Sequence, residues 1–178
     1  MSGQFRLIRL SNSYPLKDKI FDCDDKDLNE FFYQDSLLYQ NELLAVTYIV
    51  EDEDNDAVLG YFCVLNDKLT SEDFKEVRNK IQRKIPYRKH YKTYPCVKIG
   101  RLAVCEGVKK AGIGTFIIDY IKYSFFHNNK TGCRFITVDA YAQSTGFYEK
   151  MGFSYLTESD KSEPTRQMYF DLMRMSSI

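Results

Sequence analysis

"GVKKAGIGTFIIDYI", Gly107 to Ile121, places two glycines one residue apart between a lysine pair and an apolar stretch of helical period. The residues before it, "CVKIGRLAVC" from Cys96 to Cys105, read as a buried strand. Those after it, "TFIIDYIKYSFF", read as an amphipathic helix with Phe116, Ile117, Tyr120, Ile121 and Ser124 near one face. A strand, a turn through Lys109, Lys110, Ala111, Gly112, Ile113, Gly114 and Thr115, and then a helix direct several backbone N–H groups at one location. That location suits an anion: glycine lets a phosphate approach the main chain, and the helix dipole adds about half a positive charge. Lys109 and Lys110 add attraction at the rim. Two common phosphate patterns fail here. A Walker loop needs its lysine after the glycines, and Ile117 stands where a dinucleotide fingerprint has its third glycine.

Outward from this turn the chain alternates short strands and helices. Phe5 to Leu10 suits a strand, and the acidic run Asp22 to Asp25 offers caps for a helix using Leu28, Phe31 and Phe32, with Leu38 continuing it. "LLAVTYIVE" and "AVLGYFCVLN" flank the acidic turn Asp52 to Asp56 and predict a hairpin with a solvated tip. The tip lacks the glycine and terminal glutamate of a calcium loop. A helix is expected over "SEDFKEVRNKIQ", followed by a basic loop bearing tyrosines. "CRFITVDA" is a further strand, a short helix is expected from Ser144 to Met151 with Gly152 as its stop, and "FSYLTE" and "RQMYFDLM" are terminal strands. The order is mixed α/β, and residues 1–178 are expected to form one domain.

Composition narrows the function classes. Lys and Arg total 25 and Asp and Glu total 25, so net charge gives no general pull toward nucleic acid or an acidic membrane. The exception is Asp67 to Tyr94, where Lys68, Lys75, Arg78, Lys80, Arg83, Lys84, Arg88, Lys89 and Lys92 face only Asp67, Glu72, Asp73 and Glu76. Cys23, Cys63, Cys96, Cys105 and Cys133 are odd in number and scattered, which argues against a disulfide framework or a zinc site. No metal ligand set is assigned. With no signal-peptide pattern and no apolar run of membrane-spanning length, a cytoplasmic protein without membrane contact is expected.

The glycine turn, with Lys109, Gly112 and Gly114 after a central strand, resembles the acetyl-CoA motif of the GNAT acetyltransferases. That motif carries Arg or Gln where this chain has Lys109. "FYEKMGF", Phe147 to Phe153, is similar to the family's FY-x-x-x-GF segment, and one helix and one strand separate the two elements. The resemblance covers roughly Cys96 to Tyr169. It implies a central, mixed, mostly antiparallel sheet of about six to seven strands, splayed at the middle and flanked by helices. It further implies acetyl-CoA as cosubstrate, with the main chain of Leu102, Ala103 and Val104 bonding its acetyl and pantetheine portions. The turn from Lys109 to Thr115 would cradle the pyrophosphate.

Acyl transfer to an amine needs a neutral nucleophile, a stabilised oxyanion and a proton for the departing thiolate. A strand N–H near Leu102 suits the oxyanion. Tyr148 occupies the family's general-acid position, although a packing role beside Phe147 and Phe153 is the alternative. Asp139 and Glu106 stand near strand ends, and neither is assigned as base. Tyr141 occupies the place of an asparagine carried by many members, which leaves Gln143 or Ser144 as substitutes. Cys105 reads as a small core residue, since direct transfer needs no covalent intermediate, and His127 as a helix-dipole partner.

"IGRLAV" and the earlier "FDCDDKDLNEFF" resemble the GNAT subgroup containing toxins that acetylate the amino group of aminoacyl-tRNA. In that reading the basic segment with Tyr87, Tyr91 and Tyr94 contacts RNA phosphates and stacks bases. The leading reading is N-acetylation of a small or protein amine. A tRNA-directed toxin and an acetyl-CoA-binding sensor without catalysis are the alternatives, and the chain is expected to act as a monomer or homodimer.

Overall fold

The computed structural model describes residues 4–70 and 92–177. Among these residues seven strands form one sheet in the order β1-β2-β3-β4-β5-β7-β6. They are β1 (Phe5–Arg9), β2 (Val46–Asp52), β3 (Val58–Thr70), β4 (Thr93–Val104), β5 (Phe135–Tyr141), β6 (Ser154–Tyr155) and β7 (Thr165–Asp171). β1 pairs with β2, β2 with β3, β5 with β7 and β6 with β7, all antiparallel. The principal helices are α1 (Lys26–Glu30), α2 (Ser36–Asn41), α3 (Ile113–His127) and α4 (Thr145–Lys150), with one π-helical turn, Phe31–Asp35, joining α1 to α2. This is the expected mixed α/β architecture with a mostly antiparallel sheet and flanking helices. Two compact units divide the chain: residues up to Leu65 with Ile99–Tyr120, and Asn66–Lys98 with residues from Ile121 onward.

In the first unit, Asp25 caps α1 as its position predicts. It has extended backbone, and its carboxylate accepts from the Leu28 amide at 3.0 Å. Phe31 and Phe32 then fall on the inward face and pack with Phe21 around Tyr61 of β3, whose hydroxyl donates to the Leu28 carbonyl at 2.7 Å. The first helix is thus fixed to the sheet by a ring cluster and one buried hydrogen bond. Leu38 does not continue that face: it is 61% exposed, because the π turn rotates the following residues away from the register of α1.

The hairpin forms as expected, with the acidic turn running from Asp52, the last residue of β2, through Asp56 ahead of β3. Its tip is not purely solvated, since Arg6 is ion-paired to Asp56. A register shift between Val50 and Glu51 interrupts the pairing, and Ile49, Val50 and Glu51 are all fully buried. Glu51 is held there by Arg6 at 2.6 Å, by Lys19 at 2.7 Å and by the Tyr14 hydroxyl.

In the second unit, Phe135, Ile136, Thr137 and Val138 of β5 are buried on both faces of the strand. Leu69, Tyr94, Cys96 and Phe135 form a small core, with Leu156 and Tyr169 packed against it. Tyr94 is 6% exposed and meets Phe135 edge to face at 6.4 Å, so it is a packing residue; the expectation that it stacks bases is corrected. The strand expected over "FSYLTE" shortens to Ser154–Tyr155. The helix expected over "SEDFKEVRNKIQ", together with Tyr87 and Tyr91, lies outside the described residues.

Candidate active site

β4 leads into the glycine turn through a 3-10 segment, Glu106–Val108. The start of that segment is tied down from two sides: the Cys105 amide donates to the Leu59 carbonyl at 2.9 Å and the Glu106 amide to the Asp22 carbonyl at 2.8 Å. Gly60 of β3 makes this close approach possible. A Cβ there would lie 2.8 Å from the Ala103 carbonyl oxygen and 3.3 Å from Ile113 Cγ2. Ala103 is buried, while Leu102 and Val104 on either side are half-buried.

Within the turn, Lys110 and Gly112 both take left-handed backbone, at φ 69° and 91°. Gly112 is needed for that conformation, and the position a Cβ would occupy has nothing within 4 Å. The first α-helical bond of α3 runs from Phe116 to the Gly112 carbonyl at 2.9 Å. The amides of Ile113, Gly114 and Thr115 therefore precede the ladder, and they make no hydrogen bond among the described residues. Three N–H groups without a partner among the described residues, an exposed Lys110 and open space over Gly112 thus stand at the start of α3. Lys109 contributes less charge than expected, since its ammonium is ion-paired to Glu106.

Tyr148 lies on α4, in the second unit. The motif "FYEKMGF" folds as a helix terminus: the Gly152 amide donates to Glu149 at 2.8 Å and the Phe153 amide to Tyr148 at 2.9 Å, with Gly152 at φ 80°. The Tyr148 and Phe153 rings close the turn edge to face at 5.4 Å, and the Phe147 ring meets Tyr148 edge to face at 5.2 Å. The phenol hydroxyl makes no hydrogen bond among the described residues. Burial pushes its pKa above the ordinary tyrosine value, so the group holds its proton at neutral pH.

Both carboxylates left unassigned as base are engaged. Asp139 is paired with Lys98 at 2.5 Å and Glu106 with Lys109. Cys105 is half-buried and packs against the apolar cluster of the first unit, in line with a core role. His127 ends α3 beside the rings of Tyr123 and Phe126, at 4.3 and 4.9 Å. Arg101, within the "IGRLAV" string, lies over Phe31 at 5.3 Å and 3.4 Å from the Asp27 carboxylate. Among the described residues no group of three His, Cys, Asp or Glu side chains is arranged to hold a metal ion, and no helix is long and apolar enough to cross a membrane.

Sequence reading missed two cations in the second unit. Lys122 is buried on α3 and donates to the Met151 carbonyl at 2.6 Å, and Arg174 donates to the Gly152 carbonyl at 2.7 Å. The apolar period of α3 carried the only available signal, and it pointed to Phe116, Ile117, Tyr120, Ile121 and Ser124. The structure buries Ile117 and Ile121 as expected, adds Ile113, Ile118 and Lys122, and leaves Phe116, Tyr120 and Ser124 half-buried.

The profile of the acetyltransferase (GNAT) family matches residues 11–153. The chain belongs to this family and is an acetyltransferase. Solved structures agree in fold. AtaT complexed with acetyl-methionyl-tRNAfMet is 21% identical, with 98% of each chain covered and a TM-score of 0.80. A tyrosine-to-phenylalanine mutant of KacT is 20% identical over 98% of each chain, with a TM-score of 0.77. AtaTR bound with AcCoA is 21% identical, with 99% of this chain and 98% of that one covered and a TM-score of 0.76. A comparison with curated proteins found no match.

Proposed function

We propose that the chain moves the acetyl group of acetyl-CoA directly to a primary amine of a small molecule or protein. The observation that carries the reading is the cradle at the start of α3. Its amides of Ile113, Gly114 and Thr115 have no protein partner among the described residues, and the space over Gly112 is open. A diphosphate fits such a cradle in charge and in its demand for donors. Lys109 to Thr115 hold it, and the main chain of Leu102, Ala103 and Val104 bonds the thioester arm. The likeness to a structure of AtaTR bound with AcCoA supports the choice of ligand.

In the reaction the amine nitrogen bonds to the thioester carbon, the carbon–sulfur bond breaks, and the sulfur leaves with its electron pair. Tyr148 supplies the proton that the thiolate takes up, and the proton lost by the attacking amine leaves through solvent, which later reprotonates the phenol. Burial keeps the Tyr148 phenol protonated at neutral pH, as the role requires, while making it a weaker acid than an exposed tyrosine.

A second acceptor is favoured by a specific observation. The likeness to AtaT extends over 98% of each chain, and that protein was captured with acetyl-methionyl-tRNAfMet. An aminoacyl-tRNA amine is therefore the alternative acceptor, and under that reading the partner class is an antitoxin, as AtaR is for AtaT. The test is release of free CoA thiol with spermidine, a peptide with a free amino terminus, and methionyl-tRNA. Turnover with the first two supports the leading reading, and turnover with methionyl-tRNA alone supports the second. Acetyl-CoA binding without turnover on any of them would replace both with a sensor role.

A further inference from the structure

Tyr148 sits on a helix of only six residues, Thr145–Lys150, too short to be stable by itself. Its phenol makes no hydrogen bond among the described residues, so the placement of the hydroxyl depends on the helix and on ring packing alone. The two amides of the terminal turn satisfy the carbonyls of Tyr148 and Glu149. Beyond Lys150, the last helical residue, the chain presents the carbonyls of the C-cap Met151 and of Gly152 beside the negative end of the helix.

Two cations meet them. Lys122 Nζ donates to Met151 at 2.6 Å, and Arg174 Nη1 donates to Gly152 at 2.7 Å. Both also lie over the Phe170 ring, at 4.4 and 5.5 Å, and Lys122 is 5.9 Å from the Phe153 ring. Phe170 in turn packs on Phe153 at 5.7 Å and approaches Gly152 so closely that a Cβ there would lie 3.4 Å away. One ammonium and one guanidinium, from α3 and from the 3-10 segment Leu172–Ser177, thus hold the end of the tyrosine helix against β7.

We infer that Lys122 and Arg174 are positioning residues that act through Tyr148 by holding the Met151 and Gly152 carbonyls at the end of its helix. The inference rests on the reading of Tyr148 as the proton donor. Burying a lysine on a face otherwise made of isoleucines costs desolvation that an apolar residue would avoid. The bond to Met151 gives that choice a purpose, and Arg174 repeats it one carbonyl further on.

The experiment compares Lys122→Met, Lys122→Arg and Arg174→Met with the unaltered chain. Amide hydrogen exchange read by NMR should be about tenfold faster at Gly152 and Phe153 in the two methionine variants, as expected for loss of a charge-assisted bond, with β5 and β7 amides little changed. Lys122→Arg should restore slow exchange. CoA-thiol release with spermidine, the peptide or methionyl-tRNA should show kcat lowered about tenfold in Lys122→Met, with calorimetric acetyl-CoA affinity unchanged. The same substitution placed on Tyr148→Phe should cause no further loss. Unaltered exchange at Gly152 and Phe153, or an equal loss of kcat in the Tyr148→Phe background, would overturn the inference. Should Tyr148→Phe alone leave kcat intact, the proton-donor reading fails and the positioning role with it, while the exchange rates still report whether the two cations hold the helix end.

Discussion

The Phe153 amide donates to the Tyr148 carbonyl at 2.9 Å, and the rings of the same two residues meet edge to face at 5.4 Å. This double contact explains the spacing of "FYEKMGF" in physical terms. Tyr148, Gly152 and Phe153 are the three positions that a helix ending in a left-handed residue needs for its 6→1 hydrogen bond and its closing apolar contact. Gly152→Ala should therefore destabilise the protein by about 1–2 kcal/mol, the cost of a Cβ in left-handed backbone. The Phe170 ring, 3.4 Å from that Cβ, is at van der Waals distance, so the cost is backbone strain and not a clash. Urea denaturation of the two proteins measures the difference, and equal midpoints would show that the turn does not carry the helix end.

What the sequence made legible follows the same logic. Asp25 as a cap, Gly152 as a stop and the glycine turn after β4 were readable because each is a local backbone requirement met by a nearby residue. Glu51 was not readable. An acid at the end of a strand next to an acidic turn looks solvated, and only the register shift at Val50 and the distant Arg6, Tyr14 and Lys19 turn it inward. Lys122 escaped for a related reason: apolar periodicity assigns a lysine to solvent, whereas its partner, the Met151 carbonyl, is 29 residues away in sequence. The α3 stripe was legible at Ile117 and Ile121, whereas Phe116, Tyr120 and Ser124 of the same stripe are half-buried at its edge, because aromatic and small residues score as core in a wide apolar helix. The isoleucines and Lys122 supply the buried face. Tyr94 looked like part of a basic, tyrosine-bearing loop until β4 was seen to begin at Thr93.

Glu51 predicts a defined response to acid. Burial opposes its charge, but the bonds from Lys19, Tyr14 and Arg6 outweigh that and hold its pKa below the ordinary carboxylate value. The sign follows from linkage: the stabilisation is present above the unfolded pKa of about 4.3 and is lost as pH falls through the lower folded value. Glu51→Gln should cost about 3 kcal/mol at pH 7, because it leaves two cations around a neutral amide. That deficit should shrink as pH drops below 4. Denaturation midpoints of both proteins across pH 3 to 7 provide the check, and a constant gap would mean that Glu51 is not the titrating group.

The thiols should separate by burial. Cys63 and Cys133 are pushed by burial from the ordinary value up to about 11, and Cys96 up to about 12, while Cys105 is half-buried. An exposed thiol, with a pKa near 8.5, is substantially thiolate at pH 8.5, so the three buried groups are neutral where a free one reacts. Because their folded pKa values are raised, their contribution to stability is complete below about pH 8.5 and is lost as pH climbs toward 11 or 12. A disulfide-exchange dye at pH 8 should titrate one fast thiol, Cys105, and reach the remaining four only in guanidinium. Fast reaction of Cys63, Cys96 or Cys133 in the folded protein would contradict their placement.

Gly112 separates backbone strain from ligand chemistry at the cradle. A Cβ there meets nothing within 4 Å, so Gly112→Ala has no steric clash to relieve and bears only the strain of φ 91°. That strain should lower stability by about 1–2 kcal/mol. Gly112→Glu carries the same strain and adds a carboxylate where a diphosphate is proposed to rest against the amides of Ile113, Gly114 and Thr115. Calorimetry with acetyl-CoA should show affinity at least about tenfold weaker for the glutamate variant than for the alanine variant, from like-charge repulsion in a partly sheltered site. The gap should narrow as salt is raised and the Debye length contracts. Equal affinities for the two variants would mean that no anionic part of the coenzyme sits at this turn, and the N–H groups ahead of Phe116 would then need another partner.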